Sequence, residues 1–288
     1  PNFYEMDRDK VIGLAYWGAI DYLGESMGWP IKGWNQGVFD LSLQPKPDAY
    51  FVKSMFSEEP VVHIGIIEKS GGNIQWNGIN VSAGKLSENW NREAGEMVSL
   101  YTYTNGDEVE LFLNGKSLGV KKNSNDPKLR ARIKWDNIAY APGTLVAVAK
   151  KNGKVVASHQ IETTGEAVAL KLVPDVETWH ADGKDLMHVR IYAVDKKGRR
   201  VLNMKDAKAF DKLTFTVKGD ANIVAVDNGN ISSDELHIGK KQLEKTIQRN
   251  LFQGSALVIL RAGNKPGKIE LSVAGEKMKA KKQVLNTK

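Results

Sequence analysis

The sequence predicts a mostly β chain in which two immunoglobulin-like β-sandwiches follow one strand-loop-helix (βα) unit. Three observations support this fold class. Short alternating strands separated by turns fill residues 58–164, and a second such series fills residues 165–288. Residues 1–57 instead combine an apolar run, a long loop and a helical pattern. We therefore expect three domains with these bounds.

Composition sets limits on the class of protein. The 288 residues are 41% hydrophobic and 26% charged, which is ordinary for a globular chain with more than one core. No apolar run reaches the roughly 20 residues that a membrane-spanning helix needs, so we expect no membrane partner. Cysteine is absent. Disulfides, cysteine-ligated zinc and thiol nucleophiles are thereby excluded.

The first 57 residues read as one βα unit. The run "VIGLAYW" (residues 11–17) does not alternate, which is typical of a strand buried on both faces. A loop over Gly24–Pro45 follows and contains Trp29 and Trp34. "PDAYFVKSMFS" then has helical spacing, and Pro47 suits the first turn of a helix.

Residues 58–164 contain two hairpin signals. In "VELFLNGKSLGV", Val109 and Leu111 lie on one face of a strand that ends at Asn114-Gly115, a pair that favours a type I′ turn. "TLVAVAKKNGKVVASHQI" repeats this pattern around Asn152-Gly153. Short strands with regularly spaced turns predict a sandwich.

Residues 165–288 carry a second set of strands. "MHVRIYAV" alternates, with Met187, Val189 and Ile191 on one face. "LTFTV", "NIVAV", "ALVILRA" and "KIELSVAG" add further short strands. The run "DNGN" (residues 227–230) is open to a calcium interpretation. It lacks a full set of oxygen ligands with a closing Glu, so we expect a turn.

The chain has a formal charge of +7, and its lysines gather in short clusters such as "KKNGK" and "KMKAKK". A basic surface can bind nucleic acid. These clusters lie beside turn residues and have no interleaved stacking aromatics. We therefore expect solvated turns and no nucleic-acid partner.

A buried strand, a loop at its carboxyl end and a helix form the repeating unit of a (β/α)₈ barrel. "GLAYWGAIDYLGE" resembles the eighth-strand signature of glycoside hydrolase family 2, which includes β-galactosidases and β-glucuronidases. "GVFDLSLQPKPDAYF" resembles that family's loop into the last barrel helix. The residues that carry the resemblance are Gly13, Trp17, Asp21, Tyr22, Leu23, Gly24, Glu25, Gly37, Asp40, Pro45, Lys46 and Tyr50.

The resemblance continues to the end of the chain. "LYTYTNGDEVELFLNGKSLG" is similar to the sandwich that follows the barrel in multidomain members. "ADGKDLMHVRIYAVDKKGRRV" and "FQGSALVILRA" are similar to the last bacterial immunoglobulin-like domain of long β-galactosidases. The resemblance implies the C-terminal part of a bacterial family 2 protein. Residues 1–57 would be the last slice of its barrel, and the seven earlier strands would lie upstream of this chain.

The resemblance also implies a retaining mechanism, which needs two carboxyl groups about 5 to 5.5 Å apart. In this family both are glutamates on earlier barrel strands. Glu5, Glu25, Glu58 and Glu59 do not stand in either motif, so we assign no catalytic residue and expect no hydrolysis by this chain alone. Trp17 matches the family's tryptophan that lines the substrate pocket. We expect it to bind sugar, because an indole face suits the C–H face of a pyranose.

Two other groups of residues are candidate sites. Asp21 and Glu25, four residues apart, could bind a metal or act as acid and base. Without a nearby histidine we expect them instead to bond to the backbone or to a barrel-rim arginine that is missing from this chain. The histidines are dispersed in the sequence, none pair at metal-ligand spacing, and we expect each to be a strand-edge or surface residue. We therefore expect neither a metal nor a cofactor.

Two functional hypotheses remain. In the first, the chain belongs to an enzyme that hydrolyses terminal β-galactosides, and its sandwiches brace the barrel, shape the active-site rim or form contacts in a homo-oligomer. The alternative is a free-standing carbohydrate-binding or adhesive sandwich module. The βα unit favours the first, since a free-standing module has no use for one barrel strand and helix. The resemblance further implies a periplasmic or secreted protein, although the sequence carries no such signal.

Overall fold

The computed structural model describes residues 9–10, 12–13, 17–68, 74–76, 79–81, 85–126, 129–202, 206–238 and 243–288. The chain divides into two compact units, Pro1–Asp40 with Gln44–Thr163, and Leu41–Leu43 with Thr164–Lys288. Every strand pair recorded in the described residues is antiparallel, apart from isolated bridges. Within those residues, no helix has the length and apolarity to cross a membrane.

The first unit opens with a short hairpin and one helix. Strands β1 (Tyr22–Gly28) and β2 (Ile31–Trp34) pair, and helix α1 spans Pro47–Phe56. Pro47 occupies the first turn of α1, and Asp48 places a negative charge near the positive end of the helix dipole. The predicted helix is therefore confirmed. It packs on the sandwich of the same unit, against β3 and β7.

The prediction of a strand over residues 11–17 is wrong for those of its residues that the structure describes, 12–13 and 17. Residues 11 and 14–16 lie outside the described part of the chain. Ile12, Gly13 and Trp17 are exposed and belong to no strand, and the first strand begins only at Tyr22. A strand buried on both faces needs paired neighbours at both edges. The described residues place no such neighbours beside Ile12, Gly13 or Trp17.

The sandwich of the first unit has two sheets in its described part, with strand orders β10-β7-β3-β6 and β12-β11-β8-β9, and a separate hairpin β4-β5. Its core is centred on Trp90, Ile64, Leu100, Leu111 and Leu145, all fully buried. The strands are β3 (Val62–Ile67), β4 (Ile74–Trp76), β5 (Ile79–Val81), β6 (Leu86–Ser87), β7 (Met97–Thr104), β8 (Glu108–Leu113), β9 (Lys116–Lys122), β10 (Arg132–Ala139), β11 (Thr144–Lys151) and β12 (Lys154–Glu162).

Both hairpins expected from Asn-Gly pairs are present. Asn114 and Gly115 have φ of 51° and 80° between β8 and β9, and Asn152 and Gly153 have φ of 51° and 74° between β11 and β12. Two consecutive positive φ angles define the type I′ turn. The local sequence therefore determines these turns.

The second unit contains two four-stranded sheets in its described residues, ordered β13-β14-β18-β16 and β17-β15-β19-β20. Trp179, Phe215, Leu213 and Ile191 are fully buried between them. The elements are β13 (Ala169–Pro174), β14 (Leu186–Val194), a 3-10 helix (Ala207–Phe210), β15 (Lys212–Lys218), β16 (Ala221–Asp227), β17 (Thr246–Asn250), β18 (Ser255–Ala262), β19 (Gly267–Gly275) and β20 (Lys281–Thr287).

Candidate functional site

Trp17 lies in the segment that leads into β1, and its side chain is 74% exposed. Its indole Nε1 donates a hydrogen bond to Tyr22 Oη at 3.1 Å. Tyr22 Oη in turn donates to Glu25 Oε2. This bond to a carboxylate raises the pKa of the Tyr22 phenol. The three side chains form an exposed network that offers an aromatic face together with polar atoms, the combination that suits a sugar.

Two further tryptophans lie in the β1-β2 hairpin that follows. Trp29 is 81% exposed, and Lys32 Nζ lies 6.0 Å from its ring centre. Trp34 is half-buried, and its Nε1 has no hydrogen-bond partner. A Cβ on Gly18 would lie 3.0 Å from that Nε1, and Gly18 has a φ of +65°. A side chain at position 18 would therefore press on the Trp34 ring.

Asp21 fixes the loop that carries these aromatic residues. Its Oδ1 accepts from Gly37 N at 3.0 Å and from Lys46 Nζ at 2.7 Å, and Lys46 also donates to Asn35 O at 2.9 Å. Burial raises the pKa of Asp21, although the lysine and the amide oppose this effect. Asp21 and Glu25 thus have different partners and do not act as a carboxylate pair. The expected backbone bond of Asp21 is present, and Lys46 is a second partner that was not predicted.

A second cluster lies between the two sheets of the first unit. The His63 ring of β3 stacks on Tyr50 of α1, with centroids 3.5 Å apart, and on His159 of β12, with centroids 3.9 Å apart. Ile64 N donates to His159 Nδ1 at 3.1 Å. Burial, together with the neighbouring His63 ring, lowers the pKa of His159 to about 4. The histidines are dispersed in the sequence, but the expectation that each is a strand-edge or surface residue is wrong for His63, which is buried against His159.

With Glu88, these histidines bring three potential ligand atoms within 4.8 Å of one another. His63 Nε2 lies 2.7 Å from Glu88 Oε1, although it is not directed at that oxygen as in a hydrogen bond. Two ligands of one tetrahedral metal, each about 2 Å from it, would lie more than about 3 Å apart. His159 Nδ1 already accepts a hydrogen bond from the Ile64 amide. The neutral ring therefore carries its proton on Nε2. The arrangement therefore fits a structural cluster better than a metal site.

No local motif marks this cluster, because His159 lies 95 residues after Ile64, the neighbour of His63. One signal was available in β12. His159 shares its strand face with Ile161, which is buried, so alternation alone places the histidine toward the core.

Two family models match the chain. Residues 95–157 match a domain of unknown function (DUF4982). Residues 170–284 match glycoside hydrolase family 2 C-terminal domain 5. A β-galactosidase from Bacteroides ovatus, BoGH2A, is 33% identical over 273 residues, which cover 94% of this chain and 28% of that protein. The chain belongs to glycoside hydrolase family 2.

Other family 2 relatives agree with this membership. A β-glucuronidase from Formosa agariphila is 30% identical over 187 residues, which cover 64% of this chain and 16% of that protein. A crystal structure of a family 2 member from Bacteroides cellulosilyticus has a TM-score of 0.78 at 28% identity and covers 94% of this chain and 35% of the other. The chain thus spans about a third or less of the length of these family 2 proteins.

The structure gives physical reasons for two residues of the family 2 motif. A Cβ on Gly37 would lie 2.6 Å from Asp21 N, so only glycine fits beside the buried carboxylate. Lys46 supplies the opposite charge to that carboxylate. These motif residues therefore hold the loop in place, whereas Trp17 presents an exposed surface.

Proposed function

We propose that this chain forms the C-terminal part of a retaining family 2 hydrolase that acts on terminal β-galactosides. In this proposal Trp17 forms part of the sugar-binding wall, and the sandwiches brace the catalytic barrel. The catalytic glutamates are supplied by barrel strands that this chain does not contain. The relationship to BoGH2A, a β-galactosidase related along 94% of this chain, is the observation on which the proposal rests.

The chemistry around Trp17 supports a neutral sugar. The acceptor at the end of its hydrogen-bond network is the carboxylate of Glu25. A glucuronide also carries a carboxylate, which Glu25 would repel, whereas a galactoside presents only hydroxyls. The exposed indole offers a face for the apolar side of a galactose ring, and Tyr22 and Glu25 offer polar atoms to its hydroxyls.

The test is hydrolysis of nitrophenyl β-galactoside and nitrophenyl β-glucuronide by the full-length enzyme that contains this chain. We expect activity on the galactoside. Trp17→Ala should lower kcat/KM by about tenfold to a hundredfold, the range expected when one aromatic side chain is removed from a binding site. Trp29→Ala, which removes another exposed indole at the turn between β1 and β2, is the matched control and should have a small effect.

Two results would reject this proposal. One is preference of the full-length enzyme for the glucuronide. The other is galactoside turnover by the isolated 288-residue chain that a single Glu substitution within it abolishes.

We also propose a periplasmic or secreted location and assembly into a homo-oligomer, both on the family relationship alone. Cell fractionation of the native bacterium and light scattering of the full-length enzyme test them. Recovery of the enzyme in the cytoplasmic fraction would reject the first, and a monomeric mass would reject the second.

A further inference from the structure

The second unit contains a pocket of about 410 Å³ beside the loop at residues 227–238. Phe210 and Phe252 form one side of it, with ring centroids 6.0 Å apart and planes at 73°. Asn228, Asn230 and Asn250 are also among its lining residues. Ligand pockets commonly have volumes of about 300 to 1,000 Å³ and combine apolar walls with a few polar groups.

The loop that lines this pocket is held to β17 by a buried arginine that is not itself in the lining. Arg249 is fully buried, and its Nη1 donates to Glu235 O at 2.8 Å while its Nη2 donates to Asn228 Oδ1 at 3.1 Å. Asn228 Nδ2 donates to Asn250 O at 2.9 Å, and Asn250 N donates to Glu235 Oε1 at 2.8 Å. The loop is therefore tied to β17 from both sides. Because the residues of this loop are already held in place, they lose little conformational entropy when a ligand binds.

The oxygen atoms of the loop are largely committed to its own backbone. Asp227 Oδ1 accepts from Asn228 N and Gly229 N, and Asn230 Oδ1 accepts from Ser232 N. The run "DNGN" thus forms the turn that its sequence predicts. Glu235 Oε1 is also occupied, so the oxygens that a calcium ion would need are already in use. This argues against a cation as the occupant.

The side-chain amide of Asn250 is well placed to meet a ligand. Asn250 is exposed on β17 and lines the pocket, and its backbone N and O make the contacts that hold the loop. A side-chain amide can donate one hydrogen bond and accept another at the same time, so it can bind two adjacent hydroxyls of a sugar. The Phe210 and Phe252 rings supply apolar surface for the C–H face of a sugar ring.

The charge of the lining selects among sugars. Asp234 and Glu235 are both in the pocket wall, and no lysine or arginine lines it among the residues that the structure describes. Carboxylates repel uronic acids and sulfated sugars and accept hydrogen bonds from neutral hydroxyls.

We propose that this pocket, formed by Phe210, Phe252, Asn230, Asn250 and Asp234, is a binding site for a neutral hexose or disaccharide. It lies in the second unit and does not involve Trp17. The family 2 sandwich would then hold carbohydrate as well as support the enzyme. This inference does not depend on the proposed hydrolysis, since it concerns binding by residues of this chain alone.

The test is a titration of the isotope-labelled 288-residue chain with methyl β-galactoside, lactose and cellobiose, followed by amide NMR shifts. We expect saturable shifts confined to Phe210 and to residues 228–235 and 250–252 for at least one of these probes. Methyl β-glucuronide should bind at least about tenfold more weakly. Asn250→Ala should weaken binding by about threefold to tenfold, the range for the removal of one hydrogen bond.

Gln248→Ala is the matched control, because Gln248 is exposed on the same strand and its amide contacts Thr214 outside the pocket. It should leave the dissociation constant unchanged. Phe252→Ala should also weaken binding, and the melting temperature of each variant reports whether it folds.

The proposal is overturned if all three neutral probes leave the pocket amides unshifted, if the glucuronide binds as well as they do, or if Asn250→Ala binds as the parent chain does. Shifts of the same amides with calcium alone would also overturn it.

Discussion

The ring of Tyr50 lies parallel to that of His63, with a centroid distance of 3.5 Å and an interplanar angle of 5°. This contact joins α1 to β3. Phe51 on the same helix packs against Tyr103 with centroids 5.5 Å apart, and Tyr103 Oη donates to Asp48 at 3.0 Å. The helix is therefore held on the sandwich by successive residues of one of its turns.

Removing the Tyr50 ring should loosen this helix. We expect Tyr50→Ala to lower the free energy of unfolding of the first unit by about 2 to 3 kcal/mol, somewhat less than a fully buried aromatic residue, because Tyr50 is half-buried. Tyr50→Phe keeps the ring and should cost about 1 kcal/mol or less. Urea unfolding measures both. Lys53→Ala, on the exposed side of α1, is the control, and an equal loss there would contradict the role of the stack.

The stability of the first unit should depend on His159 in mildly acidic solution. Its pKa is lowered from 6.5 to about 4 in the folded state, so the unfolded chain binds the proton more tightly. The stabilisation is present above pH 6.5 and is lost as the pH falls toward 4. Since His159 is partly exposed and lies near His63 and Glu88, we expect a loss of about 2 kcal/mol after solvent screening.

His159→Asn tests this assignment, because an asparagine can still accept the Ile64 amide but does not titrate in this range. Its urea midpoint should change little between pH 6.5 and 4. His180→Asn, at an exposed histidine of the second unit, should retain the decline of the unsubstituted chain. A decline that persists in full in His159→Asn would assign the titration to another group.

Asp195 should stabilise the second unit down to low pH. Burial by itself raises the pKa of this carboxyl, but the Arg199 guanidinium and the amides of Gly165, Arg199 and Lys197 outweigh it and lower the pKa to about 2. Its contribution of about 2 kcal/mol is present above about pH 4 and is lost as the pH falls toward 2. Asp195→Asn should lose this amount at about pH 7 and match the unsubstituted chain near pH 2.

Thermal unfolding between about pH 2 and 7 measures the effect of Asp195. Glu166→Gln removes an 84%-exposed carboxylate of the same unit and should change stability by less than about 0.5 kcal/mol. The assignment fails if Asp195→Asn remains less stable by the same amount at every pH.

The sequence alone could predict those parts of the fold that depend on neighbouring residues. The Asn114-Gly115 turn and the alternating face of β14 require only local φ angles and a period of two. Whether Ile12, Gly13 and Trp17 join a strand could not be predicted in this way, because strand pairing depends on partners that are distant in sequence. The apolar side chain of Ile12 shows that a strand there would have a residue to bury, but it does not show that the strand has partners.

Long-range side-chain contacts were likewise beyond sequence analysis. Arg249 is a charged residue within a short strand, where exposure is the usual expectation, yet it is fully buried beneath the pocket of the second unit. Its partners Asn228 and Glu235 are distant in sequence. Trp17, in contrast, was selected by its place in a family 2 motif, and its role in binding sugar remains a prediction.

The loop around Trp17 should depend on the buried pair of Asp21 and Lys46. Lys46→Met would leave the Asp21 carboxylate buried with only the Gly37 amide to stabilise its charge. We expect a loss of about 2 to 3 kcal/mol from the first unit at about pH 7, at the low end for a broken buried pair because Lys46 is 28% exposed.

The change in stability of Lys46→Met with pH shows whether Lys46 acts through its charge or through its packing. The pKa of Asp21 is already raised by burial, and loss of the lysine should raise it further. Lys46→Met should therefore recover stability as the pH is lowered through that raised pKa, because the protonated acid carries no charge that needs a partner. Asp21→Asn combined with Lys46→Met should recover this stability at about pH 7.

Lys134→Met is the control. It breaks an exposed ion pair in which Lys134 Nζ lies 3.0 Å from Asp136 Oδ1, and it should cost less than about 1 kcal/mol. Equal losses at about pH 5 and pH 7 for Lys46→Met would show that its methylene packing, and not its charge, holds the loop.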